Sequence, residues 1–360
     1  MINNIFSHTL LRWYDAYKRT MPWRYGSPDP YHVWLSEIML QQTTVSTVRS
    51  YFERFIDKWP TVQELAQATQ DDVLHMWQGL GYYARARNLH ACARIIVSQY
   101  GGVFPCTSHE LTKLPGIGSY ASAAIAAIAF GEPVAVVDGN IVRVMARVAS
   151  IPGVFPKNRA AIVTAYEKRF DLRRPGDFAQ ALMDMSQMIC TPRNPDCDRC
   201  PVSDQCASFV SETVTLYPQR ALKKNVPRRI CTALIVTDEQ GRIFLQKRPA
   251  RGLLGGLYEV PTIPRWDQAE KNTKDLHNSW VSSQEEVRSL VSPLTYGTGF
   301  GSVEHTFSHL RLTLHVVSVP KSLSPLTVSE GVWVFAEDIK NYALSRLMQK
   351  VLAKKNTPIP

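Results

Sequence analysis

The first half of the chain places apolar residues at the spacing of amphipathic helices. The apolar residues of the first predicted helix share one face: Phe6, Leu10, Trp13, Tyr14 and Tyr17. Asp29, a favoured N-cap residue, precedes Pro30 and predicts a helix start there. Further helical patterns cover residues 45–57, 71–78, 83–98, 119–130, 139–150 and 159–169. The prediction for residues 5–189 is therefore an all-α region.

The pattern becomes strand-like in the last third of the chain. An apolar run over 232–237 and a second stretch over 242–246 flank a turn signal at 238–241. Apolar and polar residues alternate over 310–316, as in a half-buried strand, and one amphipathic helix is predicted over 336–354. Together the patterns predict a helical domain over 1–213, a basic linker over 214–230 and an α+β domain over 231–360.

Composition and charge narrow the class of protein. Of the 360 residues, 45% are hydrophobic and 20% are charged, which is typical of a globular chain. The formal net charge of +10 favours a polyanionic partner, either nucleic acid or an acidic membrane surface, and composition does not choose between the two. The N-terminus lacks a secretory pattern, and the longest small-apolar run, 121–130, is about half a membrane span. We therefore expect a cytoplasmic protein, neither secreted nor transmembrane. A nucleic-acid partner, with no membrane contact, is indicated only by the motifs described below. The basic residues of the linker fit either a solvent-exposed linker or a contact with a phosphate backbone. They are Arg220, Lys223, Lys224, Arg228 and Arg229.

Four of the seven cysteines crowd into one segment, with the spacing Cys190-x6-Cys197-x2-Cys200-x5-Cys206. A chain in a reducing compartment does not normally use such a group for disulfides, so the segment indicates a metal site. Four thiolates suit either zinc or a [4Fe–4S] cluster. Structural zinc usually takes two close pairs, and only one gap here has two residues. The spacing favours iron–sulfur and leaves zinc as the alternative.

A second motif, Leu-Pro-Gly-Ile-Gly at 114–118, lies between two predicted helices. Gly116 and Gly118 allow a tight turn whose backbone N–H groups face outward at a helix N-terminus, which binds phosphate without side chains. The small residues of 121–130 permit close packing on a neighbouring helix. By itself the motif predicts either a plain connection or a helix-hairpin-helix contact with a DNA backbone.

Two carboxylates are candidates for acid–base chemistry. Glu37 lies among nearly all-apolar neighbours, surroundings that raise the pKa of a carboxyl group and suit a general acid. Asp138 follows the apolar stretch 134–137 at the start of a helix, where Asp is also a common N-cap. An acid paired with a stabilising carboxylate breaks glycosidic bonds through an oxocarbenium-like state. The two residues are far apart in sequence, so their pairing is a hypothesis.

The hairpin, the sequence Val-Asp-Gly-Asn at 137–140 and the cysteine loop together resemble the endonuclease III superfamily of DNA glycosylases. Trp23-Arg24 and the segments 36–43 and 79–83 narrow the resemblance to MutY-type adenine DNA glycosylases, in order over the whole chain. The resemblance implies a monofunctional enzyme that flips adenine out of a mispair with 8-oxoguanine or guanine in double-stranded DNA. It would hydrolyse the N-glycosidic bond and carry a [4Fe–4S] cluster on the four cysteines.

The resemblance also assigns roles by position. Glu37 would protonate adenine at N7, and Asp138 would stabilise or capture the sugar cation. Tyr120 stands where bifunctional relatives carry a Schiff-base lysine, and a phenol forms no imine, so strand cleavage should be weak or absent. Pocket-lining positions match Asn140, Arg24 and Gln180. The wedge that props open the base stack matches Gln42, Leu80 and Tyr82.

The last third resembles a Nudix hydrolase domain at its start, residues 251–261. The acidic helix that holds magnesium in those hydrolases is missing after this motif, and Glu285-Glu286 is a poor, misplaced substitute. The resemblance implies a Nudix-like domain that binds rather than hydrolyses. Its lesion-contacting loop matches Phe307, Ser308 and His309, residues that otherwise predict only the start of a strand.

Three other functions stay open at this point. They are a glycosylase/lyase for oxidised pyrimidines, a nucleotide-pool Nudix hydrolase with a DNA-binding half, and a non-enzymatic iron–sulfur DNA-binding module. Tyr120 counts against the first, the missing acidic helix against the second, and Glu37 in its apolar segment against the third. The favoured hypothesis is a monomeric adenine glycosylase with an all-α helix-hairpin-helix domain and an α+β Nudix-like domain.

Overall fold

A computed structural model describes residues 5–219, 226–263, 299–321 and 331–354. Linker residues Arg220, Lys223 and Lys224 and the pair Glu285-Glu286 lie outside the described residues. What the sequence predicts for them stays a prediction.

Helices dominate the chain up to residue 210, as predicted. They are α1 (Ile5–Tyr17), α2 (Pro30–Leu40), α3 (Val45–Lys58), α4 (Val62–Gln67), α5 (Gln70–Met76), α6 (Ala84–Tyr100), α7 (Ser108–Leu111), α8 (Ser119–Phe130), α9 (Gly139–Val148), α10 (Arg159–Glu167), α11 (Pro175–Met188) and α12 (Ala207–Val210). Short 3₁₀ turns occur at Pro22–Arg24, Cys197–Arg199, Ser203–Gln205 and Val214–Leu216. No helix in the described part of the chain is both long and apolar enough to cross a bilayer.

The later part of the chain forms strands and one last helix. The strands are β1 (Arg228–Thr237), β2 (Ile243–Lys247), β3 (Tyr258–Glu259), β4 (Thr262–Ile263), β5 (Gly299–Thr306), β6 (Arg311–Pro320) and β7 (Val332–Val334). A 3₁₀ segment at Ala336–Asn341 precedes α13 (Arg346–Lys354).

The packing divides the chain into two compact units. The first comprises Met1–Gln67 and Asn88–Lys223, and the second comprises Ala68–Arg87 and Lys224–Pro360. Helix α5 and the first turn of α6 therefore belong to the second unit, although they lie within the helical half of the sequence.

The core of the first unit is built around α8. Ala123, Ala124 and Ala127 of this helix are buried in one cluster with Ile141 of α9 and Phe178 of α11. Small side chains let neighbouring helices approach closely, so the close packing predicted for 121–130 is confirmed. Tyr17, the last residue of α1, lies on the same helical face as Phe6, Leu10 and Tyr14 but is 62% exposed.

Two predicted helix caps are present in the first unit. A carboxylate oxygen of Asp29 accepts hydrogen bonds from the backbone N–H groups of Tyr31 and His32. Asp138 accepts one from the N–H of Ile141 at 2.7 Å. Each cap satisfies N–H donors that a helix start leaves without a partner.

The second unit contains a mixed sheet with the strand order β3-β2-β1-β6-β5. β1 and β6 run parallel, with Arg228 opposite Arg311 and Thr237 opposite Pro320. β4 pairs with β1, and β7 pairs with β2. Because β6 supplies partners as far back as Arg228, β1 begins before the apolar run over 232–237 that predicted this strand.

The helix predicted over 336–354 is wrong in its first half. Residues 342–345 break it, because the backbone there pairs with β3 instead of continuing a helix. The Ala343 carbonyl accepts a hydrogen bond from the Tyr258 N–H at 2.9 Å, and Leu344 forms a parallel bridge with Tyr258. The Ser345 hydroxyl then accepts from the Met348 N–H, which caps the start of α13.

Candidate active site

A cavity of about 1350 Å³ opens in the first unit and is lined in part by α2, α8, α9 and α11. This volume exceeds that of most small-molecule pockets. Seven of the predicted site residues line it together: Arg24, Glu37, Gln42, Tyr120, Asp138, Asn140 and Gln180. The fold therefore joins the two carboxylates that the sequence could pair only as a hypothesis.

Glu37 lies in the last turns of α2 and is only 7% exposed. Burial raises the pKa of this carboxyl group from about 4.5 to about 7, and the charge of Asp138 acts in the same direction. The Tyr120 hydroxyl donates a hydrogen bond to Glu37 Oε2 at 2.7 Å and lowers that pKa. Burial and Glu37 raise the pKa of Tyr120, so the phenol keeps its proton and remains the donor. Near neutral pH, Glu37 is therefore a carboxyl group able to give or take a proton.

Asp138 is held by bonds to both of its carboxylate oxygens. Oδ1 accepts from the Ile141 N–H, and Oδ2 accepts from the Asn140 side-chain amide at 2.7 Å. Gln187 in turn donates to the Asn140 side-chain oxygen at 2.8 Å, which fixes the direction of that amide. Burial raises the pKa of Asp138, whereas these hydrogen bonds lower it. The result is a carboxylate of fixed orientation in the same cavity as Glu37.

Asp184 is a member of this site that sequence reasoning missed. Its side chain is fully buried and accepts from both terminal nitrogens of Arg24, at 2.8 and 3.2 Å. It also accepts from the Arg19 guanidinium and from the Arg19 backbone N–H. The charge of Arg24 lowers the pKa of Glu37, so Asp184 holds in place a cation that acts on the acid. The available signal was the one that singled out Glu37, a lone acid between apolar residues of a helix.

The four cysteines of 190–206 line one small pocket in the first unit. Arg147, only 3% exposed, donates to Cys190 Sγ at 3.2 Å and to the Thr191 carbonyl at 2.8 Å. Within the described residues, no three His, Cys, Asp or Glu side chains converge on a single metal ion. The four thiols border one shared space, and their uneven spacing in the sequence, with a single close pair, fits an iron–sulfur cluster better than zinc.

The hairpin at 114–118 lies directly before α8. Gly116 has φ +77°, and a Cβ there would lie 2.7 Å from Cβ of Asn88, so glycine is required. Gly118 is the N-cap of α8 and, having no side chain, makes no capping hydrogen bond to the N–H groups of the first turn. The hairpin thus leaves a helix start able to meet an anion.

The three candidate wedge residues differ in exposure. Gln42 is exposed with φ 60°, and Tyr82 is 50% exposed with φ 47°, conformations that non-glycine residues rarely adopt. Leu80 is 5% exposed, so its side chain is buried in this structure. Gln42 belongs to the first unit, and Leu80 and Tyr82 belong to the second.

Residues 307–309 form the tip of the β5–β6 hairpin in the second unit. The Phe307 N–H donates to the Leu310 carbonyl at 2.7 Å, which closes a four-residue turn. Phe307 packs on the core of this unit, and its ring centroid lies 4.6 Å from that of His305. Ser308 and His309 are exposed at the tip. The Ser308 Oγ lies 3.5 Å from His309 Nδ1, within hydrogen-bonding distance. The sequence therefore anchors the turn through an aromatic ring and leaves a hydroxyl and an imidazole accessible to a ligand.

Comparison with known families supports the same organisation. Residues 35–166 match the HhH-GPD superfamily of base excision DNA repair proteins, 190–206 match the iron–sulfur binding domain of endonuclease III, and 232–354 match the NUDIX domain. The predicted fold class and the predicted iron–sulfur cofactor are therefore confirmed, and the zinc alternative is not supported. When bound, such a cluster would be held by Cys190, Cys197, Cys200 and Cys206 and would cross-link their loop.

Solved structures resemble the helical part of the chain. A thermostable thymine-DNA glycosylase is 31% identical with a TM-score of 0.53, covering 57% of this chain and 96% of that chain. A trapped endonuclease III–DNA covalent intermediate, at 18% identity and a TM-score of 0.50, shares the fold over 59% of this chain and 99% of that chain.

Relatives match almost the whole chain. The human adenine DNA glycosylase is 35% identical over 96% of this chain and 73% of its own length. The adenine DNA glycosylase of Buchnera aphidicola subsp. Schizaphis graminum is 30% identical over 97% of this chain and 98% of its own length. With a match of this extent, a cavity that joins two carboxylates and an iron–sulfur loop, the chain belongs to the adenine DNA glycosylases, hydrolases of base excision repair.

Proposed function

We propose that this enzyme removes adenine mispaired with 8-oxoguanine, and with guanine, from double-stranded DNA, with Glu37 as the general acid. The observation that carries the proposal is the raised pKa of Glu37, about 7, in a cavity shared with Asp138. Adenine is a poor leaving group until it is protonated, and a carboxyl group with a pKa near 7 delivers a proton at neutral pH. Burial in the folded chain supplies that shift.

The chemistry uses two carboxylates in different roles. Glu37 protonates the flipped adenine at N7, and the bond between the base and the sugar breaks. The deoxyribose is left with positive charge, which the Asp138 carboxylate stabilises or captures. Water then adds to the anomeric carbon and gives its proton to the ionised Glu37, which leaves an abasic sugar and restores the acid. Asn140 keeps one Asp138 oxygen in place, and Ile141 keeps the other. Glu37 and Asp138 have different surroundings, so one carboxyl group serves as the acid and the other stabilises charge.

Tyr120 makes the enzyme a glycosylase without strand cleavage. Its hydroxyl is committed to Glu37, and a phenol forms no Schiff base with the abasic sugar. Arg24 and Gln180 line the same cavity and supply donors and an acceptor for the edge of the adenine. These contacts select the base, and Glu37 performs the proton transfer.

Binding to the duplex uses backbone and wedge contacts. Gly116 and Gly118 present the N-terminus of α8 to a phosphate. Gln42 and Tyr82, both exposed and both with positive φ, enter the base stack when adenine leaves it. The buried side chain of Leu80 supports this loop in the described state.

The Nudix-like part reads the base opposite adenine. Guanine presents an acceptor at N7, whereas 8-oxoguanine presents an N7–H donor and an O8 acceptor. The exposed Ser308 hydroxyl can accept from N7–H, and His309 can contact the base or a phosphate. We propose that residues 1–213 carry catalysis, that 231–360 carry lesion recognition, and that a single chain suffices.

The test is single-turnover release of adenine from duplexes with adenine opposite 8-oxoguanine, guanine or thymine. We expect fastest release opposite 8-oxoguanine, slower release opposite guanine, and intact strands until alkali cleaves the abasic site. Equal rates on all three duplexes would contradict the proposed substrate. Stoichiometric trapping of a covalent complex with borohydride would contradict the role of Tyr120.

A further inference from the structure

The segment 68–87 interrupts the helical half of the sequence but packs with residues 224–360. It comprises α5, the loop 77–83 and the first turn of α6, and it carries Tyr82. The side chain proposed to enter the base stack and the 307–309 hairpin proposed to read the lesion therefore belong to one compact unit. This arrangement gives the unit two points that can meet the same duplex.

Polar contacts between described residues join the segment to the rest of its unit. Lys247 Nζ of β2 lies 2.7 Å from both carboxylate oxygens of Asp71, in the first turn of α5. Arg87 Nη1 donates to the Gly255 carbonyl at 2.6 Å. His75 Nε2 lies 2.9 Å from the Lys340 carbonyl oxygen. The contacts come from both ends and the middle of the segment, so they fix its orientation as well as its position.

Gly256 lets the segment 68–87 pack closely against the 251–261 motif. It is buried with φ +78°, and a Cβ there would lie 3.3 Å from Leu74 Cδ1 and 3.9 Å from Arg87 Cδ. Gly255 and Gly256 belong to the motif 251–261 that resembles the start of a Nudix domain. In this chain the backbone of that motif is the surface on which α5 packs, a use that requires no hydrolysis.

Contacts within the segment continue from α5 to Tyr82. Trp77 Nε1 donates to the Gly81 carbonyl at 3.0 Å, and Arg85 donates to the carbonyls of Leu80 and Gly81. The Arg85 guanidinium also lies 5.6 Å from the centroid of the Tyr82 ring. A non-glycine residue with φ 47° keeps that conformation only when its surroundings impose it. The loop is thus braced, and a shift of α5 moves Tyr82 with it.

We propose that Asp71, Lys247 and Arg87 are positioning residues that couple Tyr82 to the lesion-reading part of the enzyme. When the 307–309 hairpin contacts 8-oxoguanine, the position at which Tyr82 enters the base stack is then fixed. Guanine makes fewer contacts with the hairpin, so the position of Tyr82 is held less firmly. The coupling rests on the proposed function, because the roles of Tyr82 and of the hairpin come from it. The coupling requires that the hairpin bind 8-oxoguanine and guanine, the two bases opposite adenine, with different free energies.

Charge reversal at the Asp71–Lys247 pair tests the coupling in the full-length enzyme. Asp71→Lys and Lys247→Asp each place like charges together, and the double variant restores opposite charges. The readouts are the ratio of single-turnover rates opposite 8-oxoguanine and guanine, and the fluorescence of 2-aminopurine placed beside the target adenine. We expect each single variant to lower the rate ratio about two- to fivefold and to reduce the unstacking of 2-aminopurine opposite 8-oxoguanine. The double variant should regain most of the rate ratio and most of the unstacking.

Two further variants separate coupling from general damage. Arg87→Met removes the donor to Gly255 while keeping most of the packing, and it should lower the same ratio; Arg87→Lys should restore part of it. Arg242→Asp breaks a different ion pair of the same unit, Arg242–Asp238, also at 2.7 Å. That pair closes a turn and does not touch 68–87, so the ratio should stay at the wild-type value.

The outcomes distinguish the coupling from the function on which it rests. If the wild type prefers 8-oxoguanine but the single variants and Arg87→Met keep its ratio, the coupling is wrong and the proposed function stands. Equal loss on both duplexes without change in the ratio also overturns the coupling, because it reveals only a structural role. If the wild type shows no preference for 8-oxoguanine, both the proposed function and the coupling fail.

Discussion

The cavity that contains Glu37 and Asp138 differs from the 307–309 hairpin in how its functional groups are held. In the cavity the catalytic groups are fixed by hydrogen bonds to neighbouring side chains. Tyr120 holds the buried Glu37, and Asn140 holds the half-buried Asp138. In the hairpin the decisive groups, Ser308 and His309, are exposed at a turn closed by one backbone hydrogen bond.

This difference follows from what each region has to do. Proton transfer needs a carboxyl group whose pKa is set before substrate arrives, and burial sets it. Reading a base edge needs hydrogen-bonding groups that are free until the base is present. Changes in the cavity should therefore alter the rate on every duplex, whereas changes in the hairpin should alter the ratio between duplexes.

The largest expected effect is on the cavity side. Glu37→Gln removes the proton donor at almost constant shape, so adenine release should fall about 10²- to 10⁴-fold opposite both 8-oxoguanine and guanine. Binding to a lesion duplex should be retained, as measured by gel shift at fixed salt. Glu239→Gln, an exposed turn residue of the second unit, is the matched control and should act like the wild type. Wild-type rates in Glu37→Gln would remove Glu37 from the mechanism.

A second change affects the iron–sulfur loop. Purified protein should contain about four iron and four sulfide per chain. Cys200→Ser should lower the iron content, the solubility and the DNA affinity, because the loop loses its cross-link. Both duplexes should be affected alike, since this loop lies in the first unit. Cys106→Ser, at an exposed cysteine outside the loop, should leave all three quantities unchanged. Zinc in place of iron after anaerobic purification would contradict the assignment.

A smaller effect is expected on the pH profile. Only protonated Glu37 donates, so the single-turnover rate should fall as pH rises through about 7. Tyr120→Phe removes the hydrogen bond that lowers this pKa, so the falling limb should move to higher pH. A limb that stays in place would mean that Tyr120 does not tune the acid.

The same pKa has a consequence for stability. Because the folded pKa of Glu37 lies above its ordinary value, its contribution to stability is present at low pH and is lost as pH rises through about 7. Above that pH Glu37→Gln should unfold at a temperature no lower than the wild type, since it removes a buried charge. Thermal scans at pH 5 and pH 8 show whether the variant gains relative stability at the higher pH.

Local signals in the sequence were enough for much of the fold and part of the site. Residues 119–130 read as a helix and form α8 with those limits. Asp29 and Asp138 were readable as caps, because the N-cap preference depends on a few adjacent residues. Glu37 stood out because nearly all its neighbours on α2 are apolar.

Features that depend on distant partners could not be read. Asp184 carries the same local signal as Glu37, an acid between apolar residues, but the sequence does not show that Arg19 and Arg24 are its partners. The helical pattern of 71–78 predicts a buried face but does not say that the Gly255-Gly256 backbone covers part of it. Residues 342–345 look helical, and only the pairing of Ala343 and Leu344 with Tyr258 breaks the helix.

The central claim is that catalysis and lesion reading are separate, and one ratio tests it most directly. Single-turnover adenine release is measured opposite 8-oxoguanine and opposite guanine, at one salt concentration, for the wild type and for Ser308→Ala with His309→Ala. Salt is held fixed because it alters binding to any DNA. The account predicts a nearly unchanged rate opposite guanine. The ratio of the two rates should fall by the factor that corresponds to on the order of 1–3 kcal/mol for each lost base contact. An unchanged ratio would contradict it, because lesion recognition would then lie outside the hairpin.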